Sequence, residues 1–163
     1  MTMESPGDIE IREVAVELIL ELRTRVLRPH FPDGELARFD GDHEESSLHW
    51  AALDVRGDVV GCLSYMVRRG PGSLPKSYES EVQLRGMAIA PEVQRRGVGR
   101  RLLESSMGIL ALRYPGGRVW CDARTSAQGF YQGAGFEAFG EVFEKPVIGP
   151  HVVMAVELPL VLA

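Results

Sequence analysis

Residues 86–103 run from a strand-like segment through a basic, glycine-punctuated turn into an amphipathic helix. The segment reads GMAIAPEVQRRGVGRRLL. A helix start exposes several backbone N–H groups without intrahelical partners, at the positive end of the helix dipole. Glycines let such a backbone approach a ligand closely, and arginines match the geometry of phosphate. The segment therefore predicts a strand-turn-helix unit that binds a pyrophosphate group.

Hydrophobic periodicity outlines the rest of the chain. Apolar residues at helical spacing predict an amphipathic helix over Glu13–Leu27, after a short strand at residues 9–11. The acidic segment 29–47 predicts a loop with a short helix. Strands are predicted on both sides of a turn at Gly57, then before and after the helix that follows the glycines, and finally as a closing antiparallel pair, over residues 49–55, 59–67, 79–90, 119–123, 137–143 and 151–158. Ser126 is expected to cap a short helix. This order predicts an α+β fold with one mixed sheet.

Composition restricts the function classes. The 163 residues are 45% hydrophobic and 25% charged, which is typical of a globular domain. A net charge of −5 argues against nucleic acid as the main partner. No apolar run approaches the roughly 20 residues that span a bilayer, and the N-terminus lacks a signal-peptide pattern. Cys62 and Cys121 lack metal-site or redox spacing and predict buried free thiols. We expect one cytoplasmic domain over residues 1–163, with no metal and no membrane partner.

Two of the known phosphate-binding turns do not fit this segment. The nucleotide-hydrolase loop requires Lys and then Ser or Thr after its last glycine, where Arg100 and Arg101 stand. The dinucleotide fingerprint requires a third glycine where Leu102 stands. The pattern Q/R-x-x-G-x-G/A does fit, in the residues Gln94-Arg95-Arg96-Gly97-Val98-Gly99. This hexapeptide resembles the signature of the GNAT superfamily of acyl-CoA-dependent N-acetyltransferases.

A downstream segment carries a second resemblance to the same superfamily. Phe130-Tyr131, followed by Gly135-Phe136, is similar to the late GNAT motif. Together the two motifs extend the resemblance over roughly residues 50–157. It implies a single GNAT-like domain with a central mixed, mostly antiparallel sheet flanked by helices. The strand before the glycine turn and the strand at 119–123 would splay apart to hold coenzyme A.

The resemblance also implies how the donor, acetyl-CoA, is bound. Backbone N–H groups of the turn would hold the pyrophosphate, and the main chain at the end of the preceding strand would hold the pantetheine arm. An N–H near Met87 would polarise the thioester carbonyl. The expected cofactor-binding residues are Met87, Ala88, Ile89, Gln94, Arg95, Arg96, Gly97, Val98, Gly99, Arg100, Arg124 and Tyr131.

Acyl transfer to an amine requires a proton acceptor, because an alkylammonium with a pKa of about 10.4 is charged at neutral pH. Glu81 is the carboxylate on the polar face of the strand at 79–90, and we predict it as the catalytic base, with water alone as the alternative. Gln83 stands where some family members carry glutamate. Gln83 and Arg85 share the face of Glu81 and are predicted to contact the substrate.

The leaving thiolate requires a proton donor, and the resemblance carries this role onto Tyr131. Many relatives have asparagine seven residues earlier, where this chain has Arg124. Arg124 would contact either the cofactor or the acceptor. His151 follows Gly149-Pro150, which is similar to a proline–histidine pair beside the acceptor site in one branch of the family. Its alternative is a structural histidine.

The predicted function is transfer of an acetyl group from acetyl-CoA to a primary amine within a ternary complex. The acceptor would be a small-molecule or peptide amine, and a homodimer is an open alternative to a monomer. Two other classes remain. One is a non-catalytic acyl-CoA-binding or sensing domain, against which the retained Tyr131 argues. The other is a module that binds a different anionic ligand through the basic turn.

Overall fold

The computed structural model describes residues 8–160. Its strands and α-helices, in chain order, are β1 (Glu10–Val14), α1 (Leu20–Leu27), β2 (Leu48–Leu53), β3 (Val59–Val67), β4 (Glu81–Ile89), α2 (Val98–Arg113), β5 (Arg118–Arg124), α3 (Gln128–Gly133), β6 (Glu137–Lys145) and β7 (Gly149–Glu157). Within this range the strands form one mixed sheet in the order β1-β2-β3-β4-β5-β7-β6. The α+β fold class is therefore confirmed. The extent of the domain, residues 1–163, stays a prediction.

The described chain comprises two compact units, and we describe each by itself. Unit 1 contains residues 8–66 and 86–106, and unit 2 contains residues 67–85 and 107–160. In unit 1, β1 pairs antiparallel with β2, and β2 pairs antiparallel with β3. The Gly57 turn between β2 and β3 has a φ of 84°, a left-handed conformation that glycine adopts without cost, as the hairpin prediction requires.

The predicted helix over Glu13–Leu27 is wrong in its first half. Glu13 and Val14 belong to β1, where they lie opposite Trp50 and His49 of β2. A single 3-10 turn follows, and α1 begins only at Leu20. Pairing with β2 has therefore overridden the helical spacing of the apolar residues, because the ladder satisfies backbone groups that a lone helical turn leaves open.

Residues 29–47 form turns without the predicted short helix, and a buried arginine holds this loop in unit 1. Arg23 of α1 donates to the Asp42 carboxylate at 2.8 Å and to Ser64 Oγ at 2.9 Å. His49 Nδ1 lies 2.6 Å from Ser64 Oγ, and its Nε2 lies 2.8 Å from the Asp42 carbonyl oxygen. We call these four residues, Arg23, Asp42, Ser64 and His49, the Arg23 cluster; all are buried.

In unit 2, β4 runs parallel to β5, and β7 pairs antiparallel with both β5 and β6. Trp120 packs on one face of these strands with the side chains of Leu74, Val153 and Ala155. Its indole N–H donates to the Arg68 carbonyl oxygen at 2.9 Å. Ser126 caps no helix, because it lies inside a 3-10 turn that precedes α3.

Both cysteines are buried free thiols, as predicted. Burial raises the pKa of Cys62 and the pKa of Cys121 to about 12 in each case. At neutral pH each is therefore a protonated thiol rather than a nucleophilic thiolate. No helix within residues 8–160 is long and apolar enough to cross a membrane.

Candidate active site

The turn between β4 and α2 in unit 1 has an irregular backbone. Arg95 has a φ of 66° and Gly97 a φ of 79°, so two residues in the turn occupy the left-handed region. Left-handed residues are common in turns whose backbone N–H groups bind anions. The Gln94 side chain closes this turn by donating to the Ile89 carbonyl oxygen at 3.0 Å. Gln94 therefore positions the turn from within.

The backbone N–H groups of this turn and of the first turn of α2 are the feature that most favours anion binding. Gln94 N donates to Pro91 O at 3.3 Å, and Arg101 N donates to Gly97 O at 3.0 Å. Within residues 8–160, the six intervening N–H groups of residues 95–100 form no backbone hydrogen bond of good geometry. They stand at the start of a 16-residue helix, whose dipole adds partial positive charge. Such donors suit an anionic group, and their predicted role in binding pyrophosphate stays a prediction.

Arginine side chains surround the same amides. Arg95 and Arg100 are exposed, and Arg96 is half-buried. Arg100 forms an exposed pair with Glu104 at 2.8 Å, one helical turn further on. Such a pair contributes little to stability, so a phosphate competes for this guanidinium at small cost. Val98 instead packs into the core and anchors the helix start.

The end of β4 reaches the turn through a distorted strand. Gly86 has a φ of 62°, and a Cβ at this position would lie 2.8 Å from the Phe39 ring and 3.1 Å from Arg23 Nε. Only glycine fits there. Beyond it, Ala88 is buried in the core of unit 1, whereas Met87 and Ile89 are half-buried. The predicted contribution of these three residues to the cofactor site is a main-chain one, which their burial permits.

In unit 2 the parallel ladder between β4 and β5 is short. It joins Glu81, Val82 and Gln83 to Arg118, Val119 and Trp120. Within the described part of unit 2 it stops there, although β5 continues to Arg124. Beyond Gln83, β5 pairs with β7 alone among the described strands, which is where the predicted splay of β4 from β5 would begin. Gln83 and Arg85 are half-buried.

Tyr131 lies on α3, directly after β5 and the 3-10 turn. Its side chain is buried, with its ring 5.2 Å from the Phe130 ring and 5.3 Å from the Phe136 ring. Its carbonyl oxygen accepts the Phe136 N–H at 3.0 Å, and Gly135, with a φ of 95°, closes this helix end. The glycine–phenylalanine part of the motif therefore fixes the position of the tyrosine.

His151 and Arg124 lie opposite each other where β7 pairs with the end of β5. The His151 ring is buried, and its Nδ1 lies 2.8 Å from the Gly149 carbonyl oxygen. A carbonyl only accepts, so Nδ1 carries the hydrogen and Nε2 of the neutral ring is left as a proton acceptor. Unit 2 thus brings Arg124, Tyr131 and His151 to the same end of β5.

Glu81 lies at the opposite end of β4 from the turn and is buried in an ion-pair cluster. Its carboxylate binds Arg118, and it accepts from Arg69 at 3.0 Å. Burial alone would raise the pKa of Glu81, but hydrogen bonds from Arg118 and Arg69 and the charge of Arg118 outweigh it, so the pKa is lowered. A low pKa makes a weak base. Its role as the catalytic base stays a prediction, and the geometry disfavours it.

Two features of unit 2 escaped the sequence reasoning. One is Arg118, which organises Glu81 and also donates to the carbonyl oxygens of Pro75 and Lys76. The other is an ion pair between Lys145 and Asp122, with Nζ and Oδ2 3.0 Å apart. Neither the Arg118–Glu81 pair nor the Lys145–Asp122 pair could be predicted from the sequence, because the partners are 37 and 23 residues apart. A charged residue inside a strand pattern, such as Asp122, is the only hint.

Comparisons with known proteins show the family of this chain. The sequence model of the Acetyltransferase (GNAT) domain matches residues 45–138, more than half of the chain. The chain belongs to the GNAT family. The GNAT family assignment made from the two motifs is thereby confirmed.

A curated relative is also similar over nearly the whole chain. The Uncharacterized N-acetyltransferase YitI of Bacillus subtilis (strain 168) is 33% identical over 147 residues, which cover 90% of this chain and 94% of YitI. As a GNAT-family member, the chain is an acyltransferase, and this family uses acyl-CoA.

Solved structures of other proteins have a similar fold. Escherichia coli ElaA has a TM-score of 0.70 at 20% identity and covers 90% of this chain and 98% of its own. An aminoglycoside 6'-N-acetyltransferase complexed with coenzyme A has a TM-score of 0.64 at 14% identity, with 94% and 99% covered. At these identities the likeness concerns the fold alone.

Proposed function

We propose that this GNAT-family acyltransferase moves an acetyl group from acetyl-CoA to a primary amine by direct attack in a ternary complex. The observation that carries the proposal is the row of open amides at residues 95–100. The chain shares its family with enzymes that use acyl-CoA, and its own turn supplies donors that suit a diphosphate.

The donor would be held by parts of unit 1 in our proposal. The amides of residues 95–100 bind the pyrophosphate, and the side chains of Arg95, Arg96 and Arg100 add charge. The main chain of Met87 and Ile89 binds the pantetheine arm in the manner of an added strand. One N–H near Met87 polarises the thioester carbonyl, whose carbon then accepts the amine.

The reaction balances with two protons. The amine nitrogen bonds to the carbonyl carbon as the C–S bond breaks, and the ammonium form gives up one proton before attack and one during or after it. Neutralising a free alkylammonium at pH 7 costs about 4 kcal/mol, because its pKa lies about three units higher. A base takes the first proton, the departing thiolate takes a proton from an acid, and the second proton of the amine restores that acid.

We assign the acid role to Tyr131 and the base role to His151. A phenol has a pKa near that of a thiolate's conjugate acid, so it can share its proton with the leaving group. His151 is supported by its hydrogen bond to Gly149, which leaves Nε2 as the acceptor nitrogen. Glu81 is retained as the competing base, and Arg124 as a residue that contacts the cofactor or the acceptor.

A direct experiment tests the proposal. The purified chain is titrated calorimetrically with coenzyme A, and the thiol released from acetyl-CoA is then followed with a panel of amines. We expect binding in the micromolar range and transfer to at least one amine. Binding without transfer would favour the acyl-CoA-sensing alternative. A folded protein that shows no affinity for coenzyme A or its thioesters would contradict the proposal altogether.

We further propose that the enzyme works in the cytoplasm, where acyl-CoA is available, on a small-molecule or peptide amine. Its oligomeric state, monomer or homodimer, is to be measured by sedimentation equilibrium. A transfer assay on fractions of cytoplasm and of membranes tests the location.

A further inference from the structure

The ion pair between Lys145 and Asp122 in unit 2 joins two strands that are not neighbours in the sheet. Lys145 belongs to β6 and Asp122 to β5, and β7 lies between these two strands. Side chains that pair across a sheet normally belong to neighbouring strands. To bring Nζ within 3.0 Å of Asp122 Oδ2, the lysine side chain must cross the face of β7. An alkylammonium chain therefore lies on this face and ends at a carboxylate.

This face also carries His151. Side chains two residues apart in a strand share a face, so Asp122 lies on the face of Arg124, and Lys145 lies on the face of Phe143. His151 lies opposite both Arg124 and Phe143. Its ring is 6.0 Å from the Phe143 ring. The Asp122 carboxylate is therefore one row along the sheet from the histidine that we propose as the base.

The ion pair is accessible to a competing ligand. The side chain of Asp122 is 23% exposed and that of Lys145 is 37% exposed. Strand β6 also carries exposed glutamates at positions 137 and 141, which favour the approach of cations. Because a partly exposed pair is weak, an external ammonium can displace the lysine at small cost.

We propose that Asp122 binds an ammonium group of the acceptor, and that Lys145 occupies this position when the acceptor is absent. This inference rests on the proposed function and names its substrate class. The bound ammonium is the non-reacting one. A carboxylate partner favours the charged form, and each unit of raised pKa lowers the neutral, nucleophilic fraction tenfold. The acceptor is therefore a dication, an aliphatic diamine whose second nitrogen attacks the thioester.

Matched probes test this substrate class. The probes 1,4-diaminobutane and butylamine differ only in the second ammonium. We expect the wild-type enzyme to prefer the diamine about tenfold in kcat/KM, the typical effect of one charged hydrogen-bonded contact. Asp122→Asn should abolish this preference by lowering the constant for the diamine about tenfold, and Asp122→Glu should retain part of it. Lys145→Met should lower KM for the diamine, because it removes the competing ammonium.

The control is Glu144→Gln, which removes an exposed carboxylate next to Lys145 and should leave the preference intact. Calorimetric titration of the coenzyme A complex with both amines gives a second readout that does not depend on turnover. Equal constants for the two amines in the wild type, or a preference that survives in Asp122→Asn, would overturn the inference while leaving acetyl transfer intact. Loss of coenzyme A binding would instead contradict the proposed function.

Discussion

Arg118 and Glu81 form a buried ion pair where β5 and β4 begin and run parallel to each other. Removing one partner of a buried pair leaves the other charge uncompensated, which costs about 3–5 kcal/mol. We therefore expect Glu81→Gln to lower the free energy of unfolding by about 3 kcal/mol, measured by urea denaturation. The pH dependence of kcat should keep its midpoint, since Glu81 is held by two arginines rather than poised to accept a proton.

The control for this substitution is Glu79→Gln, an exposed carboxylate two residues earlier. It should change neither the unfolding free energy nor the rate. If Glu81→Gln instead lowered kcat a hundredfold at unchanged stability and removed the acidic limb of the pH profile, Glu81 would be the base and His151 would not.

A proline substitution tests the contribution of a single backbone N–H group to binding of the acyl donor. Val98 is the first residue of α2, a position where proline fits the helix and only the N–H is lost. We expect Val98→Pro to bind coenzyme A about tenfold to a hundredfold more weakly than Val98→Ala, the effect of one hydrogen bond to a charged group. Calorimetry on both variants gives the comparison. Equal affinities would show that this amide does not contact the pyrophosphate.

Tyr131→Phe removes only the hydroxyl of the proposed acid. General acid catalysis contributes about 10²–10⁴-fold, so kcat should fall at least a hundredfold while the affinity for coenzyme A stays the same. Tyr114→Phe, at a half-buried tyrosine after α2, is the matched control. Unchanged turnover in Tyr131→Phe would remove the acid role and leave the ring as a packing element between Phe130 and Phe136.

The strand-turn-helix unit was predictable because all of its determinants are local. Pro91 ends the strand segment, Gly97 supplies the left-handed residue, and the apolar spacing of α2 defines the helix. The alternation of β4 is also visible in its burial, since Val82 and Leu84 are buried whereas Gln83 and Arg85 between and after them are half-buried. The burial of Glu81 was not, because it depends on Arg118, which is distant in sequence.

Non-local pairing explains the other differences. Glu13 and Val14 have helical spacing, yet they form an antiparallel β-ladder with β2. The left-handed φ of Arg95 had no signal either, because arginine rarely adopts it. Residues whose role depends on a partner far along the chain, such as Asp122 and Lys145, appear only in three dimensions. Local patterns thus give the elements and the turn, whereas the electrostatics of the site depend on the sheet order.

The Arg23 cluster predicts acid-sensitive folding. Burial lowers the pKa of His49 from its ordinary value of 6.5, against the opposing effect of Asp42. Burial raises the pKa of Asp42, but hydrogen bonds from Arg23 and the Phe39 amide outweigh it, so that pKa also lies below its ordinary value of 3.8. In both groups the folded state binds fewer protons than the unfolded state. Stability is therefore lost as the pH falls, below 6.5 through His49 and below 3.8 through Asp42.

We expect the free energy of unfolding to decline between pH 7.5 and pH 5, measured by urea denaturation at each pH. His49→Gln keeps an amide that can donate to the Asp42 carbonyl but cannot take up a proton. It should be less stable at pH 7.5 by about 1 kcal/mol, because the bond to Ser64 is lost, and nearly independent of pH in this range. His43→Gln, at an exposed histidine, should behave like the parent. A decline of the same size in His49→Gln would show that another group takes up the proton.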